Sequence, residues 1–442
     1  MNTQPPLPLT TAMNTYIQHI EQQLEHLPVL QGMFRQCYAN TYETTLQRLA
    51  DGSTFVITGD IPAMWLRDST AQVRHYLPVA VHDTEVADMI AGVIRRQIFY
   101  IGIDPYGNAF NIEDNDHRYD IDLTELNGWV WERKYEIDSL CYPIQLSYLF
   151  WKATGRTDLF DESFRTVLHR IIDLWRCEQH HDDHSPYVFM REDCPPSDTL
   201  RNQGKGMPTS YTGMTWSGFR PSDDACTFGY LIPSNMFASV VLGYIAEIAI
   251  DMYHDERLAT KALRLQEEID FGIENYGTVI HPQYGKIYAY ETDGQGNHNL
   301  MDDANVPSLL SIPYLGYRAV EDKVYQNTRA FVLSEHNPYY FTGIAASGIG
   351  SPHTPTDYIW HIALSMQGLT STDPLEIKSI LDTLASTHAD TGFMHEGFHK
   401  DDPTKFTRPW FAWANSLFAE LVSQYALQSS KEPSSPYEYD HS

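Results

Sequence analysis

The stretch from residue 136 to 178, EIDSLCYPIQLSYLFWKATGRTDLFDESFRTVLHRIIDLWRCE, holds two helical patterns separated by a break. In its second half Phe164, Leu168, Ile171 and Trp175 recur every three or four residues, the spacing that lines one face of a helix. The break is Ala153-Thr154-Gly155 followed by Arg156-Thr157-Asp158, polar and short, so the segments 136–154 and 160–178 read as an antiparallel hairpin. The same punctuation recurs at Asp83-Thr84 and at Ser371-Thr372-Asp373-Pro374. Helical periodicity marks further segments near 10–28, 29–50, 66–82, 83–100, 234–253, 255–275, 304–316, 320–334, 355–370, 373–388 and 407–427. Six hairpins of this kind would close an (α/α)6 toroid. The expected fold is therefore all-α, an (α/α)6 barrel with long loops and a few short strands, for which TFVITGD at 54–60 and KIYAYETDG at 286–294 are the candidates. No compositional shift marks a linker, so residues 1–428 are expected to form one domain, with SSKEPSSPYEYDHS at 429–442 a polar tail.

Composition narrows the function. The chain has 442 residues, of which 42% are apolar, enough for a large core. Lys and Arg total 30 against 58 Asp and Glu, a formal net charge of −28 that disfavours nucleic acid and anionic membranes as partners. The 28 Tyr, 19 Phe and 9 Trp, set among carboxylates and amides, suit sugars, whose C–H faces stack on flat rings while their hydroxyls donate to carboxylates. Any single ring can equally pack a helix core. Five scattered cysteines with no C-x-x-C pair argue against a disulfide framework or a thiolate zinc site. There is no basic-then-apolar leader, no stretch read as long enough to span a membrane and no Asn-x-Ser/Thr sequon, so a cytoplasmic location is expected. The oligomeric state leaves no mark on the sequence.

The long irregular stretches, 51–65, 101–135, 180–233, 277–303, 335–354 and 389–406, separate the hairpins and hold the unusual chemistry. Gly59 to Ser69, GDIPAMWLRDS, sets Trp65 beside Arg67 and Asp68, a stacking ring next to an arginine fork and a carboxylate, although Asp68 and Ser69 also suit the first turn of a helix. Trp129 to Ser139, WVWERKYEIDS, packs two indoles and Glu132, Glu136 and Asp138 around the start of the next helix. Gly218 to Cys226, GFRPSDDAC, reads on its own as a helix start capped by Ser222 with Asp223 and Asp224 in the first turn. Met301 to Ser308, MDDANVPS, repeats the pattern with Asp302, Asp303 and Asn305.

The fifth cluster is GFMHEGFH at 392–399, followed by FTRPWFAW at 406–413. His395-Glu396-Gly397-Phe398-His399 matches H-E-x-x-H, which binds zinc only where a helix brings both imidazoles to one face. Gly392, Gly397 and Pro403 break any such helix, so no metal is expected here. His180-His181-Asp182-Asp183-His184 reads as a solvated loop. Nucleotide, dinucleotide and serine-hydrolase signatures are absent from the sequence. Acidic loops meeting at one mouth of a helical toroid leave a pair of carboxylates acting across a sugar as the natural chemistry, with a silent sugar-binding protein or a glucose-specific toroid as alternatives.

Taken together, GDIPAMWLRDS at 59–69, WERKYEIDS at 131–139, GFRPSDDA at 218–225, MDDANVPS at 301–308, GFMHEGF at 392–398 and RPWFAWANSLF at 408–418 resemble glycoside hydrolase family 125, the bacterial and fungal exo-α-1,6-mannosidases. They follow the family's order over roughly residues 30–425. The resemblance implies an (α/α)6 barrel that removes a non-reducing terminal α-1,6-linked mannose with inversion, using neither metal ion nor other cofactor, its partner being an α-mannoside. It implies a general acid in the SDD motif, placed on Asp223 with Asp224 as the alternative, and a general base at Glu396. It implies that Arg67 and Asp68 hold hydroxyls of the terminal mannose. Trp65, Glu132, Asp224, Asp302, Asp303, Asn305, His395, Arg408 and Trp410 complete the candidate contacts, with Trp65, Trp410 and Trp413 expected to wall the pocket. An acid at Asp223 needs a proton near neutral pH, and its acidic neighbours are expected to raise its pKa.

Overall fold

Residues 7–124 and 126–429 are described by the computed structural model, so residues 430–442 of the expected tail lie outside the described residues. The helices are α1 (Thr11–Gln23), α2 (Pro28–Thr44), α3 (Leu66–Arg74), α4 (Thr84–Ile103), α5 (Ile137–Thr154), α6 (Glu162–Glu178), α7 (Ile232–Tyr253) and α8 (Glu256–Tyr276). They continue with the single turn α9 (Ile312–Leu315), then α10 (Lys323–Val332), α11 (His361–Leu369), α12 (Pro374–Ser386) and α13 (Ala412–Ser429). Gly155, in the left-handed region at φ 71°, ends α5, and Asp161 starts α6 by accepting from the Phe164 amide at 2.9 Å. The hairpin read from 136–178 is thus built by a C-terminal glycine and an N-terminal aspartate.

Two kinds of helix alternate. Helices α3, α5, α7, α11 and α13 pack on one another, α3 against α5 and α13, α5 against α7, and α11 against α13. They are buried on most of their circumference, with apolar residues in α7, where Met236, Phe237, Val241, Leu242, Ile245 and Ile248 are covered, and with largely polar ones in α3, where Arg67, Asp68, Ser69, Thr70 and Gln72 are. Helices α4, α6, α8, α10 and α12 lie outside them; α6 buries one stripe, Phe164, Val167, Leu168, Ile171 and Trp175, whereas α4 is covered over most of its surface. The last inner helix, α13, takes α2 from the beginning of the chain as a neighbour, so the two ends of the sequence pack together. One contiguous apolar core runs from Met13 to Ala426.

The outer helices share a start signal. Asp83, Asp161, Asp255, Asp322 and Asp373 each accept an amide of the first turn at 2.8–3.0 Å, a cap worth about 1 kcal/mol apiece. The inner helices α3, α5, α7 and α11 have no side-chain cap and grow out of extended residues, Trp65, Glu136, Leu231 and Trp360. Small antiparallel sheets fix three of these entries. Met64–Trp65 pairs with Ala109–Phe110 and that with Val130–Glu132; Tyr230–Leu231 pairs with Glu291–Thr292; Tyr358–Trp360 pairs with Gly397–His399. Long loops are thereby stapled to the N-terminal ends of the inner helices. Thr54–Val56, Gly285–Tyr288 and Glu291–Thr292 realise the expected short strands.

Several expectations need correction. Neither Ser222 nor Asp302 starts a helix: residues 221–229 are irregular and helix resumes at Ile232, while 304–316 contains only α9. The Asp302 carboxylate accepts the Leu309 and Leu310 amides at 2.8 and 3.0 Å, a cap-like bond with no helix behind it. His181 is not solvated: its Nδ1 meets Glu178 at 2.6 Å and its ring stacks on Trp216 at 3.5 Å, fully buried. Helix α7 is long and apolar enough to cross a membrane by length and composition, which the sequence reading overlooked. In the fold that surface is spent on α5 and α8.

Candidate active site

The loops that lead into α3, α7, α11 and α13 enclose one pocket. Its lining includes Thr58, Ile61, Trp65, Arg67 and Asp68 from the first, Ser222 and Asp223 from the long loop before α7, Asn305, then His353 and Trp360, and finally Glu396, Arg408 and Phe411.

Arg67, in the first turn of α3 and only 2% exposed, is the hub of the floor. Its Nη1 meets Glu136 at 2.5 Å and Asp138 at 3.2 Å, its Nε meets Asp68 at 3.5 Å and its Nη2 meets Asp223 at 3.5 Å. Glu136 and Asp138 flank the uncapped start of α5, which is why an arginine from α3 reaches both. Burial raises the carboxyls of Asp68 and Asp138 to about 6, against the pull of Arg67. Glu136 is pushed well above the usual range by burial, again despite Arg67, with the charges of Asp223 and Asp138 adding to the push.

Asp223 stands at the tip of a tight turn in which Arg220 N donates to Asp224 O at 2.7 Å and Asp223 N to Arg220 O at 2.9 Å. Its φ of 67° lies in the left-handed region, an unfavourable geometry that recurs in the pocket at Arg408, φ 43°. The side chain keeps 28% of its surface open to the pocket. Lys134 donates to the Asp223 carbonyl at 2.8 Å and is itself paired with Asp198. Burial works to raise the Asp223 carboxyl, but Arg67, Lys134, a hydrogen bond with Glu136 and His353 together hold it below its ordinary value. This reverses the expected upward shift: the acidic neighbours are present, and the cations around Asp223 outweigh them.

Glu396, which lines the same pocket as Asp223, is buried and lies 3.5 Å from Arg408 Nη1. Arg408 also forks onto Asp60, with Nε at 3.1 Å and Nη2 at 2.5 Å, and lies over the Phe411 ring. That fork depends on a close backbone approach, because Gly59 pairs with Phe411 at φ 127° and a Cβ there would collide with the Trp410 carbonyl. His353 Nδ1 bonds Asp224 at 3.0 Å. Burial works against its charge, but Asp224, Asp223 and Glu396 raise it to about 9, so an imidazolium stands in the pocket at neutral pH.

The structure thus brings together Trp65, Arg67, Asp68, Asp223, Asn305, Glu396 and Arg408 among the residues singled out in sequence. The others do not line the pocket. Glu132 is taken by Asn108 and Arg191, Asp224 by His353, and Asp303 by Ser222 at 2.7 Å. Asp302 is spent on backbone amides, and His395 stacks on Phe406 at 3.8 Å. Trp410 and Trp413 are replaced as pocket walls by Phe411 and Trp360. Trp413 is packed in the core against Tyr142. His353, Trp360 and the floor pair Glu136 and Asp138 were not picked out as site residues. The two acids stand in a quoted motif and were legible as such, whereas His353 reaches the site only through a contact with Asp224, 129 residues away. The H-E-x-x-H stretch is extended, with Gly397–His399 in a strand, so its two imidazoles do not share a helical face. Among the described residues no group of three or more His, Cys, Asp or Glu side chains is placed to hold a metal.

The chain is similar over most of its length to known proteins. A Streptococcus pneumoniae structure, from a family of metal-independent α-mannosidases linked to the processing of N-linked glycans and solved in a non-productive complex with α-1,6-mannobiose, superposes with a TM-score of 0.93. It is 52% identical over 95% of this chain and 99% of its own. The meiotically up-regulated gene 157 protein of Schizosaccharomyces pombe is 40% identical over 433 residues, 92% of this chain and 84% of the relative. A glucoamylase from Saccharomycopsis fibuligera, 11% identical with a TM-score of 0.57 over 97% of this chain and 98% of its own, shares the fold alone. The family model described as metal-independent α-mannosidase, GH125, matches residues 28–423. The chain is a glycoside hydrolase and belongs to the metal-independent α-mannosidases of family 125.

Proposed function

We propose that this α-mannosidase is an inverting, exo-acting enzyme that removes a terminal α-1,6-linked mannose, with six helix pairs closed into an (α/α)6 barrel over one domain. The observation that carries the reading is the meeting of Asp223 and Glu396, from separate loops, in one pocket floored by buried Arg67 and Asp68. A floor of this kind admits the end of a glycan and stops it, which gives exo action. Arg67 and Asp68 hold hydroxyls of that terminal sugar, Trp65 and Phe411 offer ring faces, and Asp223 protonates the glycosidic oxygen. Asp224, tied to His353 and buried, is not free for that task. Glu396, oriented by Arg408, takes a proton from the water that attacks the anomeric carbon from the opposite face. The α-1,6 preference is supported by the mannobiose held by the pneumococcal relative. Five free thiols suit the cytoplasm.

Proton NMR of α-1,6-mannobiose digestion tests this. β-Mannose is expected first, with the α anomer growing in by mutarotation, as an inverting site with carboxyls about 6.5–9.5 Å apart requires. Prompt α-mannose, or a covalent sugar trapped on Glu396, would overturn it.

A further inference from the structure

Taking Asp223 as the general acid, the structure raises the question of how it comes to carry a proton. Four carboxyl groups, Asp68, Glu136, Asp138 and Asp223, surround one guanidinium within 3.5 Å. The other cations nearby have partners of their own. Lys134 pairs with Asp198, Arg408 with Asp60 and Glu396, and His353 with Asp224. One guanidinium does not sustain four negative charges around it, three of them buried, so the cluster keeps at least one proton at neutral pH.

The geometry says where. Glu136 has no exposed side-chain surface, and its Oε2 accepts from Arg67 Nη1 and from Ser139 Oγ at 2.9 Å. No donor among the described residues reaches its Oε1. Glu136 and Asp223 nonetheless sit on the two Nη nitrogens of one guanidinium, at 2.5 and 3.5 Å. Two carboxyls held side by side on one guanidinium repel each other when both are ionised, which favours a proton on one of the pair. Asp223 has three cations facing it, Arg67, Lys134 and His353. Glu136 meets Arg67, which it shares with Asp68 on α3 and Asp138 on α5, and it lies near the Cys226 thiol. In the free enzyme the proton is therefore on Glu136 and the charge on Asp223.

We propose that Glu136 is the positioning residue that stores the acid proton and passes it to Asp223 when a glycosidic oxygen arrives. The Glu136 O–H bond breaks as the Asp223 O–H bond forms, and Asp223 delivers that proton to the leaving oxygen as its bond to the anomeric carbon breaks. The attacking water gives its proton to Glu396. The cycle closes when Glu396 releases that proton to solvent and the Glu136–Asp223 pair takes one back from solvent.

The test compares the native enzyme with Glu136→Gln, Glu136→Asp and Asp223→Asn in kcat/KM profiles against pH. Substrates are α-1,6-mannobiose and an aryl α-mannoside with an acidic phenol. Glutamine keeps the shape and cannot give up a proton. With mannobiose, Glu136→Gln is expected to move the alkaline limb down by about one pH unit or more and to lose about tenfold or more near pH 7. The aryl mannoside, which needs little protonation, is expected to lose less than about threefold. Glu136→Asp, which keeps a proton, is expected to hold the limb within about half a unit of native. An unmoved limb, or equal losses on both substrates, would overturn the store while leaving the acid assignment standing. A near-native Asp223→Asn on mannobiose would instead overturn the acid assignment itself. Should Glu136→Gln fail to fold, the infrared spectrum of native and Glu136→Asp enzyme near pH 7 decides. A protonated carboxyl band that shifts between the two supports the store, and its absence from the native enzyme refutes it.

Discussion

Arg67→Met removes the hub charge while keeping an unbranched side chain of similar length. Breaking a buried ion pair from one side costs about 3–5 kcal/mol, and here the loss strands four carboxyls at 2.5–3.5 Å from the missing guanidinium. The cost depends on pH in a direction fixed by the shifts. Asp68 and Asp138 rise from 3.8 to about 6 on folding, so between those values the folded chain binds more protons than the unfolded one. Stability therefore falls as pH rises through that window, and their penalty is complete above it. Arg67 opposes the rise at both groups, so without it their values climb further and the variant's window extends past pH 6. Surface carboxyls held low, such as Asp158 and Asp255, titrate alike in both proteins and cancel in the difference. Urea unfolding near pH 5 and near pH 8 reads the result. A gap of about 3–5 kcal/mol is expected at the higher pH and about half of it or less at the lower. A gap below about 1 kcal/mol near pH 8, or one that does not change with pH, would show that Arg67 does not hold the cluster together.

Two further outcomes follow from the pocket. Asp223→Asn should lose about a hundredfold or more on α-1,6-mannobiose and far less on an aryl mannoside with an acidic phenol, whereas Glu396→Gln should lose comparably on both, because water still has to be activated; steady-state kinetics on the two substrates separates these patterns. Because Glu396 stands in an extended segment and bonds Arg408, dialysis against a chelator should leave activity intact; loss restored by added zinc or calcium would contradict the metal-independent chemistry of the family.

What could be read in advance follows physical lines. The pair 136–154 and 160–178 was legible to within two residues because long apolar faces, a glycine break and an Asp cap all agree there. Ser222-Asp223-Asp224 misled because a hydroxyl followed by acids is also what a helix cap looks like; the structure uses those residues in a turn with Asp223 at positive φ. Of the expected walls Trp65 lines the pocket, whereas the Gly59 bridge sets Phe411 there in place of its neighbour Trp410, and Trp413, inside α13, packs in the core against Tyr142. His353, in SPHTPTD, sits in no cluster and becomes part of the site only when the loop before α11 meets the loop before α7.

The same residue type is used in two opposite ways at the two ends of the helix pairs. Where α4, α6, α8, α10 and α12 begin, aspartates in or near solvent accept backbone amides. Where α3 and α5 begin, Asp68 and Asp138 are buried, no side chain caps the helix, and the carboxyls turn to Arg67 instead. A hairpin places these two starts at opposite ends, so the fold separates carboxyls that stabilise helices from carboxyls that must exchange protons. The second set is costly to bury, and one arginine shared by four acids holds it only if a proton remains among them. That retained proton is what general acid catalysis requires, which makes the destabilising feature of the floor and the chemistry of the pocket one arrangement.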